Sequence, residues 1–286
     1  MKIGFIGLGI MGESMSENII KKHDDTVYVY DVVKEKVEKL AALGGVGCES
    51  ALDLAKKSDV VITMVPKSQH MAAVYEEILP VMQGKIGIDM STIDPSVSME
   101  TAKKVKAVGG RFADCPVVKS KPAAINATLG ILVGCDEELY ETIRPILLYM
   151  GCNVKRMGEN GSGITMKICH NCLVGQIQNG VNETLALAGK FGIEPKDFAE
   201  AVSYGGAQNF YLDSQWQNLE ADNWTTAFSL ANEHKDLGIC LNLAEQVGLP
   251  MPGAANVKAV YDYGMEHDMG SMDFRTTYKI VRERKN

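Results

Sequence analysis

The sequence predicts an α/β protein in which a doubly wound Rossmann domain precedes an all-helical C-terminal domain, the two joined by a long interdomain helix. A glycine-rich segment, GLGIMG at residues 7–12, lies between a short apolar run and a helix-compatible run. Apolar runs of strand length then alternate with helical runs, and from residue 161 onward only helical runs follow. Such alternation is typical of a parallel sheet covered by helices. We place the domains at residues 1–160 and 161–286.

The composition is that of an ordinary globular protein of 286 residues, with 46% hydrophobic and 23% charged residues. A net charge of -7 argues against attraction to nucleic acid or an anionic membrane. No apolar run reaches the ~20 residues that span a bilayer, and the N-terminus lacks a cleavable signal pattern. Seven scattered cysteines form no secreted disulfide framework. We therefore expect a reduced, cytoplasmic protein with no nucleic-acid or membrane partner.

The first strand, helix and second strand are predicted at residues 2–6, 11–22 and 26–30. The glycines between strand and helix allow a tight turn, close approach of the backbone to a pyrophosphate, and helix–strand packing. The helix N-terminus supplies N–H groups to the phosphates. Asp31 ends the second strand, where a carboxylate accepts the ribose 2′-hydroxyl. The expected cofactor is NAD, and its predicted contacts here are Gly7, Gly9, Ile10, Met11, Gly12 and Asp31.

The same carboxylate predicts which nicotinamide cofactor is used. A 2′-phosphate would meet the negative charge of Asp31, and the following Val32 and Val33 offer no compensating cation. The sequence therefore favours NAD over NADP.

The strand and helix alternation continues through the first domain. Further strands are predicted at residues 60–65, 86–90, 111–114, 128–133 and 153–156, and helices at 34–43, 51–57, 69–82, 96–108 and 137–150. Ligands of a doubly wound sheet lie at the carboxyl ends of its strands. We therefore expect cofactor contacts from Val65, Pro66 and Thr92, and a further ligand segment from Pro116 through Lys121.

The helical half opens with two glycines, Gly161 and Gly163, and a long run with few breakers to about Lys190. Lys167 and Asn171 are four residues apart and share one face of this helix. A lysine there can protonate a carbonyl oxygen while the amide holds the substrate. Lys167 is therefore the predicted catalytic residue. The remaining helices are predicted at residues 195–202, 209–219, 229–247, 253–265 and 273–284.

Five segments in one order carry a family resemblance: IGLGIMG at 6–12, DMST at 89–92, DCPV at 114–117, the run 161–171, and HKDLG at 234–238. Over the whole chain the sequence resembles the β-hydroxyacid dehydrogenases, which include 3-hydroxyisobutyrate dehydrogenases and tartronate semialdehyde reductases. The resemblance implies NAD(P)-dependent interconversion of a hydroxy acid and its aldehyde acid. It also implies Lys167 as the catalytic lysine, Asn171 as its substrate-binding companion, and Thr92 and Lys235 near the cofactor.

One segment departs from the family pattern. Most members follow Asp-x-Pro-Val with Ser-Gly-Gly, whose hydroxyl and amides hold the substrate carboxylate, whereas this chain has Val118, Lys119 and Ser120. The segment is similar to the 3-sulfolactaldehyde reductase branch, where a basic residue followed by a hydroxyl residue faces the sulfonate. That branch has arginine at the basic position, so Lys119 would present a point charge and not a planar fork. A carboxylate or another short anion remains an alternative.

A second departure is His170, which replaces an asparagine of the family. His170 either hydrogen-bonds the substrate or rests against a polar neighbour on the helix. Lys119 either contacts the substrate or is a surface charge. Lys235 either lies near the cofactor or forms an ion pair with Asp236 or Glu233. No metal is expected, because the Cys169 and Cys172 pair lies inside a helix without a second ligand pair.

The predicted function is NAD-dependent interconversion of a short anionic aldehyde and its hydroxy acid. The most specific candidate is reduction of 3-sulfolactaldehyde to 2,3-dihydroxypropane-1-sulfonate; the alternatives are 3-hydroxyisobutyrate, tartronate semialdehyde, and succinate semialdehyde with 4-hydroxybutyrate. An imine reductase is disfavoured because that class lacks the lysine, and a 6-phosphogluconate-type dehydrogenase because its helical domain is usually larger. A non-catalytic NAD-binding sensor is the alternative from another class. We expect a homodimer or homotetramer.

Overall fold

The computed structural model describes residues 1–283; Arg284, the end of the last predicted helix, lies outside the described residues. The chain divides into two compact units, Met1–Lys167 and a second that begins at Ile168. The division falls inside a long helix, so the domain limit at residue 160 stays a prediction.

The first unit is built on one mixed sheet. Within the described residues its strands are β1 (Ile3–Ile6), β2 (Val27–Tyr30), β3 (Val46–Gly47), β4 (Val60–Thr63), β5 (Ile86–Asp89), β6 (Arg111–Asp114), β7 (Val117–Val118), β8 (Leu129–Gly134) and β9 (Gly151–Gly158). The order β3-β2-β1-β4-β5-β6 is parallel throughout. β8 runs antiparallel to β6 and β7, and β9 runs parallel to β8. This order confirms the doubly wound domain.

Helices connect the strands. They are α1 (Gly12–Lys22), α2 (Lys34–Ala41), α3 (Ala51–Lys57), α4 (Ser68–Ile78), α5 (Pro95–Ala107), α6 (Lys121–Ile125) and α7 (Glu137–Leu147). α4 ends before residue 82, its predicted end, because Pro80 has no N–H to donate and the chain continues as a 3-10 turn at Leu79–Val81. The short elements β3, β7 and α6 were not predicted.

Strands β1, β4 and β5 are buried along their whole length because both faces of the parallel sheet are covered. Ile3, Phe5 and Ile62 are completely buried among them. Their burial fixes the register of the strands, and with it the level at which the strand ends and the loops after them lie.

The second unit is helical. α8 (Ser162–Lys190) begins in the first unit and continues here, followed by α9 (Pro195–Ser203), α10 (Phe210–Glu220), α11 (Leu230–Gln246), α12 (Pro252–Glu266) and α13 (Thr277–Glu283). Asn209 and Ser229 cap α10 and α11 with side-chain oxygens, which explains where these helices begin. Up to residue 283, the only strand-like pairing in this unit is one bridge between Ser229 and Asp273. The predicted all-helical domain is confirmed.

Candidate active site

The glycine-rich segment between β1 and α1 has the geometry that a bound pyrophosphate requires. Gly7 has φ +96°, and a Cβ there would lie 2.3 Å from the Met64 carbonyl oxygen. A Cβ on Gly12 would lie 1.9 Å from the Gly7 carbonyl oxygen, whereas one on Gly9 would meet nothing within 4 Å. Gly7 and Gly12 thus permit the tight turn and the packing of α1, and Gly9 leaves the backbone open to a ligand. Among the described residues no side chain caps α1, so its first N–H groups suit a phosphate. Ile10 is exposed and Met11 half-buried at this entrance.

Asp31 follows β2 and is bonded to the glycine-rich segment. Its Oδ2 accepts from the Leu8 N–H at 2.7 Å, and its Oδ1 accepts from the Val33 N–H at 2.9 Å. Each carboxylate oxygen keeps a second lone pair, which is what a ribose hydroxyl needs. Lys36 Nζ lies 3.8 Å from Asp31 Oδ1. Val32 and Val33 supply no cation to this carboxylate, but the first turn of α2 brings Lys36 near it.

A buried hydrogen-bond network joins the ends of β4 and β5. Asp89 Oδ1 accepts from Thr63 Oγ1 and from Ser91 Oγ, both at 2.7 Å, and Ser91 Oγ accepts from the Val65 N–H at 2.9 Å. Burial raises the pKa of Asp89 to about 6. The network fixes the loops that carry Val65 and Thr92, two predicted cofactor contacts. Pro66, the third, is exposed at the end of the β4 loop.

The segment after β6 places its charged residue in an unusual conformation. Val118 pairs with Gly130 of β8, while Lys119 and Ser120 are exposed. Lys119 has φ +78°, in the left-handed region that L-residues rarely adopt. Its Nζ donates to the Thr128 carbonyl oxygen at 2.8 Å. One ammonium proton is thereby used, and two remain for an anion.

The start of α8 is fixed to the sheet by a buried carboxylate. Asp114 Oδ1 accepts from the Gly161 N–H at 2.7 Å, and Oδ2 accepts from the Ile164 N–H at 2.8 Å. Burial raises the pKa of Asp114, an effect that these two bonds oppose. A Cβ on Gly163 would lie 2.5 Å from the Leu132 carbonyl oxygen, so glycine is required where the helix approaches β8. Lys167, which is 8% exposed, follows within this anchored part of α8.

Four residues further along α8, Asn171 is held by a buried carboxylate of α11. Asn171 Nδ2 donates to Asp236 Oδ2 at 2.6 Å, and Lys235 Nζ lies 3.0 Å from Asp236 Oδ1. His170 Nδ1 lies 3.2 Å from Asn171 Oδ1. The structure thus brings together three residues of the predicted site, Asn171, His170 and Lys235, around Asp236.

Three buried acids next to predicted site residues, Asp89 and Asp114 in the first unit and Asp236 in the second, were not predicted as functional residues, although each lies in a segment that carries the family resemblance. The sequence shows only that an acidic residue ends an apolar strand or lies on a helix face. It does not show that the acid is buried beside hydroxyl or amide donors. Their partners, which come from other elements, could not be inferred from spacing.

In residues 1–283, no group of three or more His, Cys, Asp or Glu side chains is arranged to hold a metal ion. Across the same residues, no helix has the length and apolar character needed to cross a bilayer.

Comparison with known proteins agrees with this geometry. Residues 2–158 match the NAD binding domain of 6-phosphogluconate dehydrogenase, and residues 161–281 match the domain described as NAD-binding of NADP-dependent 3-hydroxyisobutyrate dehydrogenase. The chain is 33% identical to the mitochondrial 3-hydroxyisobutyrate dehydrogenase of Drosophila melanogaster, over 99% of this chain and 90% of the relative. It is 31% identical to the 2-hydroxy-3-oxopropionate reductase of Escherichia coli, over 92% and 90%.

A solved structure resembles the whole chain. The 3-hydroxyisobutyrate dehydrogenase of Mycobacterium tuberculosis with L-serine superposes with a TM-score of 0.92 at 26% identity, covering 98% of this chain and 99% of that one. The fold and the phosphate-binding segment define a nicotinamide-dependent dehydrogenase. The chain belongs to the β-hydroxyacid dehydrogenase family.

Proposed function

We propose that the chain interconverts a short anionic aldehyde and its hydroxy acid, with NAD as the redox partner. The observation that carries the proposal is the pair on α8: Lys167 lies one helical turn before Asn171, and Asn171 is fixed by its 2.6 Å bond to Asp236. A proton donor and an amide on one helix face suit the reduction of a carbonyl group. The names of the relatives, a hydroxyisobutyrate dehydrogenase and an oxopropionate reductase, point to the same class of substrate.

In the proposed reaction Lys167 handles the proton and Asn171 orients the substrate. When bound, the nicotinamide supplies or accepts the hydride. Lys167, as an ammonium, protonates the oxygen of the aldehyde during reduction, and as an amine it takes the hydroxyl proton during oxidation. Because Asp236 accepts from Asn171 Nδ2, the amide is oriented before the substrate arrives. His170 and Lys235, which contact the same pair, contribute to substrate and cofactor binding respectively.

The proposed cofactor-binding residues lie in the loops that come directly after the strands. The N–H groups at Gly9, Ile10, Met11 and Gly12 hold the pyrophosphate, with Gly7 allowing the turn, and Val65, Pro66 and Thr92 border the cofactor at the ends of β4 and β5. Asp31 accepts the ribose hydroxyls, which favours NAD over NADP. Lys36 weakens this preference because it lies 3.8 Å from the carboxylate.

The distal anion of the substrate is assigned to Lys119 and Ser120, with Val118 as their apolar neighbour. Lys119 is exposed and has a strained backbone conformation. Such conformations often occur at ligand-binding sites, which supports a ligand-binding role for this loop. The most specific substrate we propose is 3-sulfolactaldehyde, because a cation followed by a hydroxyl suits a sulfonate. The carboxylates of 3-hydroxyisobutyrate, tartronate semialdehyde and succinate semialdehyde are the competing candidates, and relatives of this chain are named for each of the three.

A substrate panel with NADH tests the proposal. It compares 3-sulfolactaldehyde, tartronate semialdehyde and succinate semialdehyde with glyceraldehyde, which carries a neutral hydroxyl at the distal carbon. We expect kcat/KM for the best anionic aldehyde to exceed that for glyceraldehyde at least tenfold, since a charge-assisted contact contributes about 1.5–3 kcal/mol. Lys119→Ala should remove most of this difference while leaving glyceraldehyde turnover unchanged. Equal loss on both substrates would refute the anion contact, and no turnover of any aldehyde despite NADH binding would indicate a sensor.

We further propose that the enzyme is a homo-oligomer formed along α8. Leu173 and Leu187 are 57% and 60% exposed on this helix, and Phe191 is 79% exposed beyond its end. Gly180, midway between the leucines, has open space on its outer side. An apolar row at seven-residue spacing is typical of helix–helix pairing between chains. Light scattering should show a dimer or tetramer, and Leu173→Glu with Leu187→Glu should produce monomers; a monomeric wild-type enzyme would refute the assignment.

A further inference from the structure

Asn18 is a buried asparagine in the middle of α1 that joins this helix to a separate part of the first unit. Its side chain is 9% exposed. Its Nδ2 donates to the Ala124 carbonyl oxygen at 2.8 Å and to the Ser14 carbonyl oxygen at 2.9 Å, with the Ile125 carbonyl oxygen at 3.3 Å. All three partners are acceptors, so the amide nitrogen must face them.

The segment that Asn18 contacts is the loop of residues 118–128, here called the anion loop. It contains Lys119, Ser120 and the helix α6. The loop is closed on itself by two bonds, Thr128 N–H to the Ala123 carbonyl at 2.9 Å and Lys119 Nζ to the Thr128 carbonyl at 2.8 Å. These bonds link α6 to Lys119, so we expect the loss of a contact at α6 to change the position of Lys119.

The contact at α6 satisfies a helix terminus. The last carbonyls of any helix lack partners within the helix, and in α6 two of them belong to Ala124 and Ile125. Asn18 supplies a donor to both, while the methyl group of Ala124 is completely buried. The opposite end of α1 is the phosphate-binding turn at Gly12. One helix thus contacts both the cofactor segment and the anion loop.

We propose that Asn18 is a positioning residue that holds the anion loop on α1, so that Lys119 and Ser120 keep a fixed distance from the phosphate-binding turn. This inference rests on the proposed function, because it assumes that the anion loop binds the distal anion of the substrate. It adds the residue that sets the position of this loop. Asn18 itself touches neither substrate nor cofactor in this arrangement.

The test measures KM and kcat of Asn18→Leu, which keeps the volume of the side chain and removes its donor. This change leaves the Ala124 carbonyl oxygen with only the long 3.4 Å bond from the Ala127 N–H, and we expect KM for the anionic aldehyde to rise about tenfold. The Kd for NADH and the KM for glyceraldehyde should stay within about threefold. Asn153→Leu, at an exposed asparagine of β9, is the matched control and should change none of these values.

A second variant guards against a folding failure. In Asn18→Ser the hydroxyl can bond back to the Ser14 carbonyl within α1, so the helix stays satisfied while Ala124 loses its donor. The same tenfold rise in KM is expected. Hydrogen exchange should then be faster at the amides of Ala123 and Thr128 in both variants, with β1 and β4 unchanged. Unchanged exchange in the anion loop would overturn the proposal.

A double-mutant cycle separates positioning from general structural damage. If Asn18 acts through Lys119, then Asn18→Leu in a Lys119→Ala background should change KM for the anionic aldehyde by less than about twofold. An undiminished tenfold effect in that background would overturn the proposal. A wild-type KM in Asn18→Leu alongside a raised KM in Lys119→Ala would do so as well, while leaving the proposed function intact. If Lys119→Ala itself has no effect, the proposed anion site is wrong, and the inference falls with it.

Discussion

The backbone conformation of Lys119, the residue proposed to contact the substrate anion, should lower the free energy of unfolding of the protein. Its φ of +78° lies in the left-handed region, where an L-residue is disfavoured by about 1–2 kcal/mol relative to the right-handed one. Glycine adopts this conformation freely. The compensating bond from Lys119 Nζ to the Thr128 carbonyl is exposed, so its contribution is small. The bond to Thr128 therefore does not offset the backbone strain at Lys119.

Two substitutions isolate the strain. Lys119→Ala and Lys119→Gly both remove the ammonium group, but only glycine relieves the backbone. Glycine also gives the unfolded chain more freedom, which costs about 0.5–1 kcal/mol. We therefore expect Lys119→Gly to exceed Lys119→Ala in free energy of unfolding by about 0.5–1 kcal/mol. Urea denaturation measures this difference, which corresponds to a rise in Tm of roughly 1–4 °C.

The same loop provides a control. Ala127 has φ +53°, so Ala127→Gly should relieve comparable strain without removing a charge. We expect Ala127→Gly to keep wild-type kcat/KM on the anionic aldehyde, whereas both Lys119 variants lose about tenfold or more. If Lys119→Ala is at least as stable as Lys119→Gly, the backbone at residue 119 is not strained. If Lys119→Gly keeps full activity, the ammonium group does not bind the substrate.

Three further predictions concern proton transfer, cofactor choice and pH. Lys167→Met should lower kcat at least about 100-fold in steady-state assays while Kd for NADH stays within a few-fold; retention of more than about a tenth of kcat would exclude the acid role. Wild-type kcat/KM should be at least about tenfold lower with NADPH than with NADH, and Lys36→Ala should widen the gap, since Lys36 offsets Asp31; equal use of both cofactors would refute this assignment. The raised pKa of Asp89, about 6, means that its protonation stabilises the fold below pH ~4 and that this gain is lost as pH rises through 6. The free energy of unfolding of Asp89→Asn relative to that of wild type should therefore rise by about 2 kcal/mol between pH 4 and pH 8, and a constant difference in urea denaturation would contradict the burial argument.

Most of the parallel part of the sheet could be predicted because its longer strands are apolar runs of strand length bounded by turn residues. The residues 2–6, 60–65 and 86–90 show this pattern, and each contains a strand of the structure. β3 and β7 have two residues each, too few to show any periodicity, and they form because a neighbouring strand offers its edge. α6 has five residues with a proline near its start, and it is held by contacts from α1. Such elements depend on distant partners, which no local pattern contains.

The candidate site shows the same division. The residues at the phosphate turn, Asp31 and the pair on α8 were selected because their residue types occur at spacings that suit the chemistry, and their roles stay predictions. The left-handed conformation of Lys119 could not be predicted from the residue itself, because lysine disfavours it. The approach of Lys36 to Asp31 depends on how α2 turns after the strand. Contacts that join two elements thus require the fold, even where the residues that make them are visible.

Three buried acids each hold a neighbouring segment or side chain in place. Asp89 joins the ends of β4 and β5, Asp114 holds the first turn of α8, and Asp236 orients Asn171. An ionised carboxylate only accepts hydrogen bonds, so every polar group that bonds to it must donate. This requirement fixes the orientation of the donor side chain, whereas a neutral partner that can both donate and accept would allow two orientations. Asn171, for example, must direct Nδ2 towards Asp236, which leaves Oδ1 as the end that accepts from other groups. Burying such acids raises the free energy of the ionised form, as the pKa values of Asp89 and Asp114 show. A cost of this kind is expected where positions must be held within about half an ångström for chemistry to proceed.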